Sequence, residues 1–185
     1  MTTIDNYFDR LKKTIDNIDK NEIKKVVNIL LEARDNEKQI FIMGNGGSAS
    51  TASHFACDIN KGTKQKDKKM FKVICLNDNI PTMLAYANDV GYESIFEDQL
   101  KNFLNKGDVV IGISGSGNSE NIIKAIEYAN LKRAITIGIT GYGGGILKQI
   151  SKHSVNANID DMQISEDIHM ILVHVIMKAI LNVKS

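Results

Sequence analysis

The sequence carries almost no net charge, one proline, two cysteines and no long apolar run, and each scarcity closes off a class of function. A formal charge of +1 leaves no field of one sign for nucleic acid or an anionic membrane. Cys57 and Cys75 lack a CxxC spacing, which argues against a disulfide framework and against a thiolate zinc site. Cys75 lies in an apolar run and reads as a small buried hydrophobe. No stretch approaches the length of a membrane span. Met1 to Asp35 is charged throughout, unlike an apolar leader, so a soluble cytoplasmic protein is expected. There is no GxxxxGK[ST] phosphate loop. Gly44-x-Gly46 is followed by Ala49 where a dinucleotide fingerprint needs its third glycine, so no nucleotide cofactor is expected. No repeat, low-complexity tract or linker interrupts the chain, and its length suits a single domain, 1–185.

What is present is a change of hydrophobic period along the chain. Ile4, Phe8, Leu11, Ile15 and Ile18 recur every three or four residues, the stripe of an amphipathic helix. A second set from Ile23 to Leu31 follows a break near Asp19-Lys20-Asn21. Residues 1–35 therefore read as two helices, whose regular stripe suits a bundle with other copies. Short apolar runs come next: Gln39 to Met43, Phe71 to Leu76, Asp108 to Ile113 and Ala134 to Ile139, with a weaker one from Ser154 to Ile159. Helix-like stretches separate them: Ser48 to Lys61, Pro81 to Ala87, Ile95 to Leu104 and Glu120 to Asn130. Met162 to Val183 reads as a long final helix. Buried strands alternating with helices predict an α/β fold, a parallel sheet with helices on both faces. The sole proline, Pro81, suits a helix start.

In such a sheet ligands sit beyond the carboxyl ends of the strands. Three loops there are rich in small residues: Gly44 to Ser48, Ser114 to Ser119, and Gly141 to Gly145. The second, Ser114-Gly-Ser-Gly-Asn-Ser119, joins a strand to a helix. Its glycines let the backbone approach an anion, and the helix start presents free N–H groups. The hydroxyls of Ser114, Ser116 and Ser119 add hydrogen bonds without charge. That combination predicts a cradle for a small phosphate ester; the plainer alternative is that Ser119 only caps the helix. The basic run Lys61 to Lys72 reads as a solvated loop, or as an anion-attracting rim near a site.

His54 and Asp58 are four apart and share a helix face. Glu166, Asp167, His169 and His174 lie on the last helix. Asp167 and His174 share a face, whereas His169 is turned about 140° from His174, so the two histidines cannot serve one site equally. A carboxylate and an imidazole converging on a sugar carbonyl suit proton shuttling between C1 and C2 through an enediolate. His153 reads as an ordinary histidine, and spacing alone leaves open which of His169 and His174 is functional.

Taken in order, Asn45-Gly-Gly-Ser48, His54-Phe-Ala-Cys-Asp58, Asn88-Asp89, Ser114-Gly-Ser-Gly-Asn-Ser119 and Glu166-Asp-Ile-His169 with His174 resemble the sedoheptulose 7-phosphate (phosphoheptose) isomerases, built on the sugar isomerase (SIS) domain. The resemblance runs over essentially the whole chain. It implies a five-stranded parallel sheet in a three-layer fold, and a homotetramer with active sites between subunits. It implies conversion of sedoheptulose 7-phosphate to D-glycero-D-manno-heptose 7-phosphate for lipopolysaccharide or capsule. By motif, Asn45, Gly46, Gly47, Ser48, Asn88 and Asp89 would contact the sugar. Ser114, Gly115, Ser116 and Ser119 would hold the phosphate. Asp58 stands where the family has a glutamate base, and His174 where it has the partner histidine. Zinc can be bound in the family through the positions of His54, Asp58, Glu166 and His174.

Three positions depart from the usual pattern. Asp58 is one methylene shorter than glutamate, Glu166 stands where glutamine is common, and Gly115 replaces a threonine. Glu166 and His174 are also about 12 Å apart along a straight helix, so they share one ion only by reaching toward each other or if the helix begins after Glu166. Two readings compete with an isomerase. One is a non-catalytic relative on this fold that serves a replication initiator and lacks the last-helix histidine and the early acid. The other is a sugar-phosphate-sensing regulator, which would carry a DNA-binding domain; residues 1–35 show no basic recognition helix.

Overall fold

The computed structural model describes residues 2–183. Five strands form one sheet: β1 (Gln39–Gly44), β2 (Lys72–Cys75), β3 (Val109–Ser114), β4 (Ile135–Thr140) and β5 (His153–Asn156). Their order is β2-β1-β3-β4-β5 and every pairing is parallel. The chain leaves β1 toward β2 and later returns to β1's other side as β3. The strand order therefore reverses between β1 and β3, which is where open α/β sheets bind ligands.

Eight α-helices accompany the sheet: α1 (Thr3–Asn17), α2 (Lys20–Asp35), α3 (Gly47–Cys57), α4 (Ile80–Asp89), α5 (Glu97–Phe103), α6 (Glu120–Leu131), α7 (Gly145–Ile150) and α8 (Met162–Asn182). The central strands β1 and β3 alternate their side chains between two cores, whereas the edge strands β2 and β5 contribute to only one. Ile40 and Ile42 face a core built with α2, α3 and α8, including Leu30, Phe55, Ile168 and Leu172. Phe41 and Met43 face the other, with Leu100 of α5, Ile122 and Ile126 of α6, and Leu147 of α7. The three-layer α/β architecture expected from the sequence is what forms.

The details differ in instructive places. The fifth strand runs from His153 to Asn156, not from Ser154 to Ile159; beyond it, Ala157 N donates to Thr140 O and the chain turns toward α8. Helix α7 grows out of the glycine loop, where sequence alone suggests only a turn. The helix expected to reach Lys61 changes character at Asp58 and continues as a π turn, Asp58–Gly62. The first helix pair breaks at Ile18–Asp19, with Asp19 capping α2. The N-terminal stripe divides: Leu11 and Ile18 pack on the core with Tyr7, while Ile4, Phe8 and Ile15 stay exposed. Lys69 and Lys72 of the basic run pair with Glu37, beside the start of β1. That is the amino end of the sheet, so these two lysines do not rim a site at its carboxyl end. Among the described residues no helix is long and apolar enough to cross a membrane.

Candidate active site

A cavity of about 290 Å³ opens at the reversal point between β1 and β3. Asn45, Gly46, Gly47 and Ser48 line one side; Ser114, Gly115, Ser116 and Ser119 line the other; Met162 and Glu166 of α8 close it. The hydroxyls converge, with Ser114 Oγ 3.1 Å from Ser119 Oγ and 3.5 Å from Ser116 Oγ. Gly117, at φ +68°, turns the loop so that its N–H donates to Ser114 Oγ at 3.1 Å. The loop is laced to its neighbour by Gly141 N to Gly115 O and Leu147 N to Gly117 O, both 2.9 Å.

Helix ends carry the electrostatic argument. Side chains cap α1 (Thr2), α2 (Asp19), α4 (Asn79) and α8 (Asp161). Among the described residues α3, α5, α6 and α7 have no side-chain cap, and of these α3 and α6 open into the cavity. Ser119 occupies the cap position of α6 yet makes no capping bond; its hydroxyl turns to Ser114 instead. Two sets of first-turn N–H groups and two positive dipole ends are thus left facing one small cavity, whose lining holds no cationic side chain and one carboxylate, that of Glu166.

Each small-residue loop also gives way to α8 at one glycine. A Cβ at Gly47 would lie 2.4 Å from Glu166 Oε1, one at Gly115 2.4 Å from Met162 Sδ, and one at Gly141 2.2 Å from Ser165 Oγ. The glycines bring the first turns of α8 down onto the loops. Met162 was not singled out by sequence reasoning, and neither were Asn121 and Tyr92. Asn45 and Asn121 exchange amide hydrogen bonds of 2.9 and 3.0 Å, and Tyr92 Oη donates to Asn45 Oδ1 at 2.8 Å. This leaves one N–H of Asn45 for a ligand. No spacing rule relates positions 45, 92 and 121; only the fold does.

His54, Asp58 and His174 form a second cluster. His54 Nε2 and His174 Nε2 lie 3.1 Å apart, and Asp58 Oδ2 is 3.3 Å from the first and 3.9 Å from the second. Two ring nitrogens at that distance cannot both carry a proton comfortably: one donates to the other, or a cation sits between them. Three ligand atoms spaced this way match one face of a zinc tetrahedron, whose donors at 2.0–2.1 Å lie about 3.3 Å from one another. Among the described residues these three are the group whose donor atoms lie within 4.8 Å of one another. Glu166 is not among them. Helix α8 starts at Met162 and runs unbroken past Glu166, which leaves it about 12 Å along the axis from His174.

Cavity and cluster are joined by two packed helices. Ser48 and Glu166 sit at the cavity end of α3 and α8; His54 and His174 come roughly 9 and 12 Å further along them. Asp58 begins the π turn, which Asn60 clamps to edge strand β2: its amide donates to Val73 O at 2.8 Å and accepts from Val73 N at 3.0 Å. Asn88 and Asp89 end α4 on the surface, hydrogen-bonded to each other, and do not line the cavity. Asp167 accepts from Tyr7 Oη at 2.6 Å and so ties α1 to α8. His169 is fully buried with both ring nitrogens unpartnered, and burial pushes its pKa down; it takes no part in the exposed cluster.

The SIS domain family model matches residues 6–141. A phosphoheptose isomerase of Helicobacter pylori is 37% identical over 166 residues, 90% of this chain and 85% of that protein. Phosphoheptose isomerase 1 of Campylobacter jejuni is 34% identical over 87% of this chain and 86% of its own. Among solved structures, the phosphoheptose isomerase of Neisseria gonorrhoeae superposes with a TM-score of 0.87 at 27% identity, covering 96% of each chain. That of Francisella tularensis gives 0.88 at 25% identity, covering 97% of this chain and 98% of that one. Sequence and fold agree over nearly the full length, and this chain belongs to the phosphoheptose isomerases, enzymes built on the SIS domain.

Proposed function

We propose that this enzyme converts sedoheptulose 7-phosphate to D-glycero-D-manno-heptose 7-phosphate, a cytoplasmic step toward nucleotide-activated heptose for lipopolysaccharide or capsule. The observation that carries the reading is the distance between two chemistries on shared helices. A cradle of hydroxyls and free helix-start N–H groups lies at one end of α3 and α8, and a carboxylate–imidazole cluster lies two turns along them. An extended ketose phosphate has its phosphate and its carbonyl at opposite ends, as this arrangement requires. In this reading Ser114, Ser116, Ser119 and the N–H groups of α3 and α6 hold the phosphate. Asn45, Gly46, Gly47, Ser48 and Glu166 follow the sugar.

Asp58 takes a proton from C1 of the ketose to leave an enediolate. His174 exchanges the proton between the two oxygens, and Asp58 returns its proton to C2. The product is an isomer, so no oxidant or co-substrate is needed. His54, Asp58 and His174 would hold zinc, which as a Lewis acid would stabilise negative charge on the substrate oxygen.

We also propose a homotetramer with sites between subunits. Exposure of Ile4, Phe8 and Ile15 on one face of α1 supports it, as does the exposure of His54 and His174 in the single chain. A non-catalytic partner protein on this fold is not favoured, because the similar curated proteins carry isomerase names and Asp58 and His174 are both present.

The test is to incubate the purified protein with a panel of ketose phosphates and follow aldose formation by NMR. Turnover of the seven-carbon ketose is expected. Ser116→Asp, which sets a carboxylate against the phosphate, should raise KM by roughly tenfold or more, the value of a hydrogen bond to a charged group. Turnover of none of the panel, or an unchanged KM, would overturn the substrate and the cradle respectively.

A further inference from the structure

We infer that Met162 is a specificity-determining residue of the phosphate cavity, because it fills the volume that a side chain at position 115 would occupy. The inference rests on the cavity being the phosphate end of the site. A Cβ at Gly115 would fall 2.4 Å from Met162 Sδ and 3.3 Å from its Cε. Gly115 lies outside the left-handed region, unlike Gly117, so its backbone would accept another residue. What disfavours a side chain there is the space filled by the end of the Met162 side chain, not backbone conformation.

Neither side of this contact can retreat as backbone. Gly115 O accepts from Gly141 N at 2.9 Å, which pins the loop. Met162 is the first residue of α8, and Asp161 fixes that start by accepting from Ile164 N at 3.2 Å and from Arg10 Nη1 at 2.7 Å. The two positions therefore compete for one volume, and a larger residue at 115 displaces the end of the Met162 side chain from it. The chemistry of the wall changes with the choice. Met162 is flexible and apolar and offers a phosphate no proton. A hydroxyl-bearing residue at 115 would add a donor on the same side. As built, the polar lining of the cavity is Asn45, Ser48, Ser114, Ser116, Ser119 and Glu166 with the helix starts, and Met162 forms an apolar wall.

The experiment compares four proteins: the parent, Gly115→Thr, Met162→Ala and the double variant. The readouts are KM and kcat for the ketose phosphate, calorimetric affinity for inorganic phosphate, and Tm. Gly115→Thr should raise KM about tenfold with kcat within about twofold, and adding Met162→Ala should return KM to within about threefold of the parent, the coupling expected of residues that share a space. Should Gly115→Thr fail to fold, Gly115→Ala tests the same collision with one methyl, and Met162→Ala should restore its Tm. Independent effects, with the double variant as weak as the product of the singles, would overturn the inference. So would a Gly115→Thr protein that binds phosphate like the parent. If the parent binds phosphate but turns over no ketose phosphate, the reaction proposed above fails while the phosphate titrations still decide this inference. If the parent binds no phosphate, the inference falls with the cradle.

Discussion

Asp58 meets its two histidines across 3.3 and 3.9 Å with a side chain one methylene shorter than a glutamate. The helix changes to a π turn at that residue, a feature often found at functional sites. Asp58→Asn or His174→Ala should leave a folded protein whose kcat falls by about 10²–10⁴, the range for loss of a general acid or base. Metal analysis of both variants against the parent, purified without chelator, tests the zinc assignment: a metal-free, fully active parent ends it. His169 gives a different signal. Burial depresses its pKa, so the folded protein keeps the ring neutral while the unfolded chain takes up a proton below about pH 6.5. Its contribution is complete above that pH and is lost as pH falls through the unfolded value toward the lower folded one. Tm measured from about pH 7 to 5 should therefore decline less steeply in His169→Leu than in the parent. Equal slopes would mean that the ring protonates in place.

Helix α8 brings the elements of the site together, since Met162, Glu166 and His174 all lie on it. Its start is fixed from outside the cavity. Asp161 accepts from Ile164 N and from Arg10 of α1, and these contacts hold its carboxyl below the usual carboxylate range. Asp161→Ala should cost about 1 kcal/mol, the usual value of an N-cap, and lower Tm by about 2–4 °C for a chain of this size. KM should rise with it, because the first turn carries the residues that close the cavity. A Tm loss with no change in KM would separate the cap from the site.

For the whole molecule, the outward row Ile4, Phe8 and Ile15 is one exposed apolar feature that a single chain leaves unexplained. If it is buried between copies, Phe8→Asp removes about 2 kcal/mol of apolar burial per copy and adds an unpaired charge. Light scattering should then show smaller species, with activity falling in step. A parent that is monomeric and active at micromolar concentration would sink the tetramer. Much was legible before any coordinates. The cradle serines, the strand–helix alternation and the 140° separation of His169 from His174 all follow from local period and spacing. Asn121, Tyr92 and Met162 were not legible, because their partners lie 76, 47 and 47 residues away in sequence and no local rule couples such pairs.

By itself the sequence determined that three small-residue loops would follow strands and that carboxylates and histidines would sit on the flanking helices, because strand and helix periods are properties of neighbouring residues. Which loops share a cavity was decided only by the tertiary structure. The strand order β2-β1-β3 sets the first and second loops side by side, and α8 closes over both. The same packing joined His54, Asp58 and His174 and kept Glu166 two turns away, because a rigid helix places residues at a fixed rise whatever their chemistry would prefer.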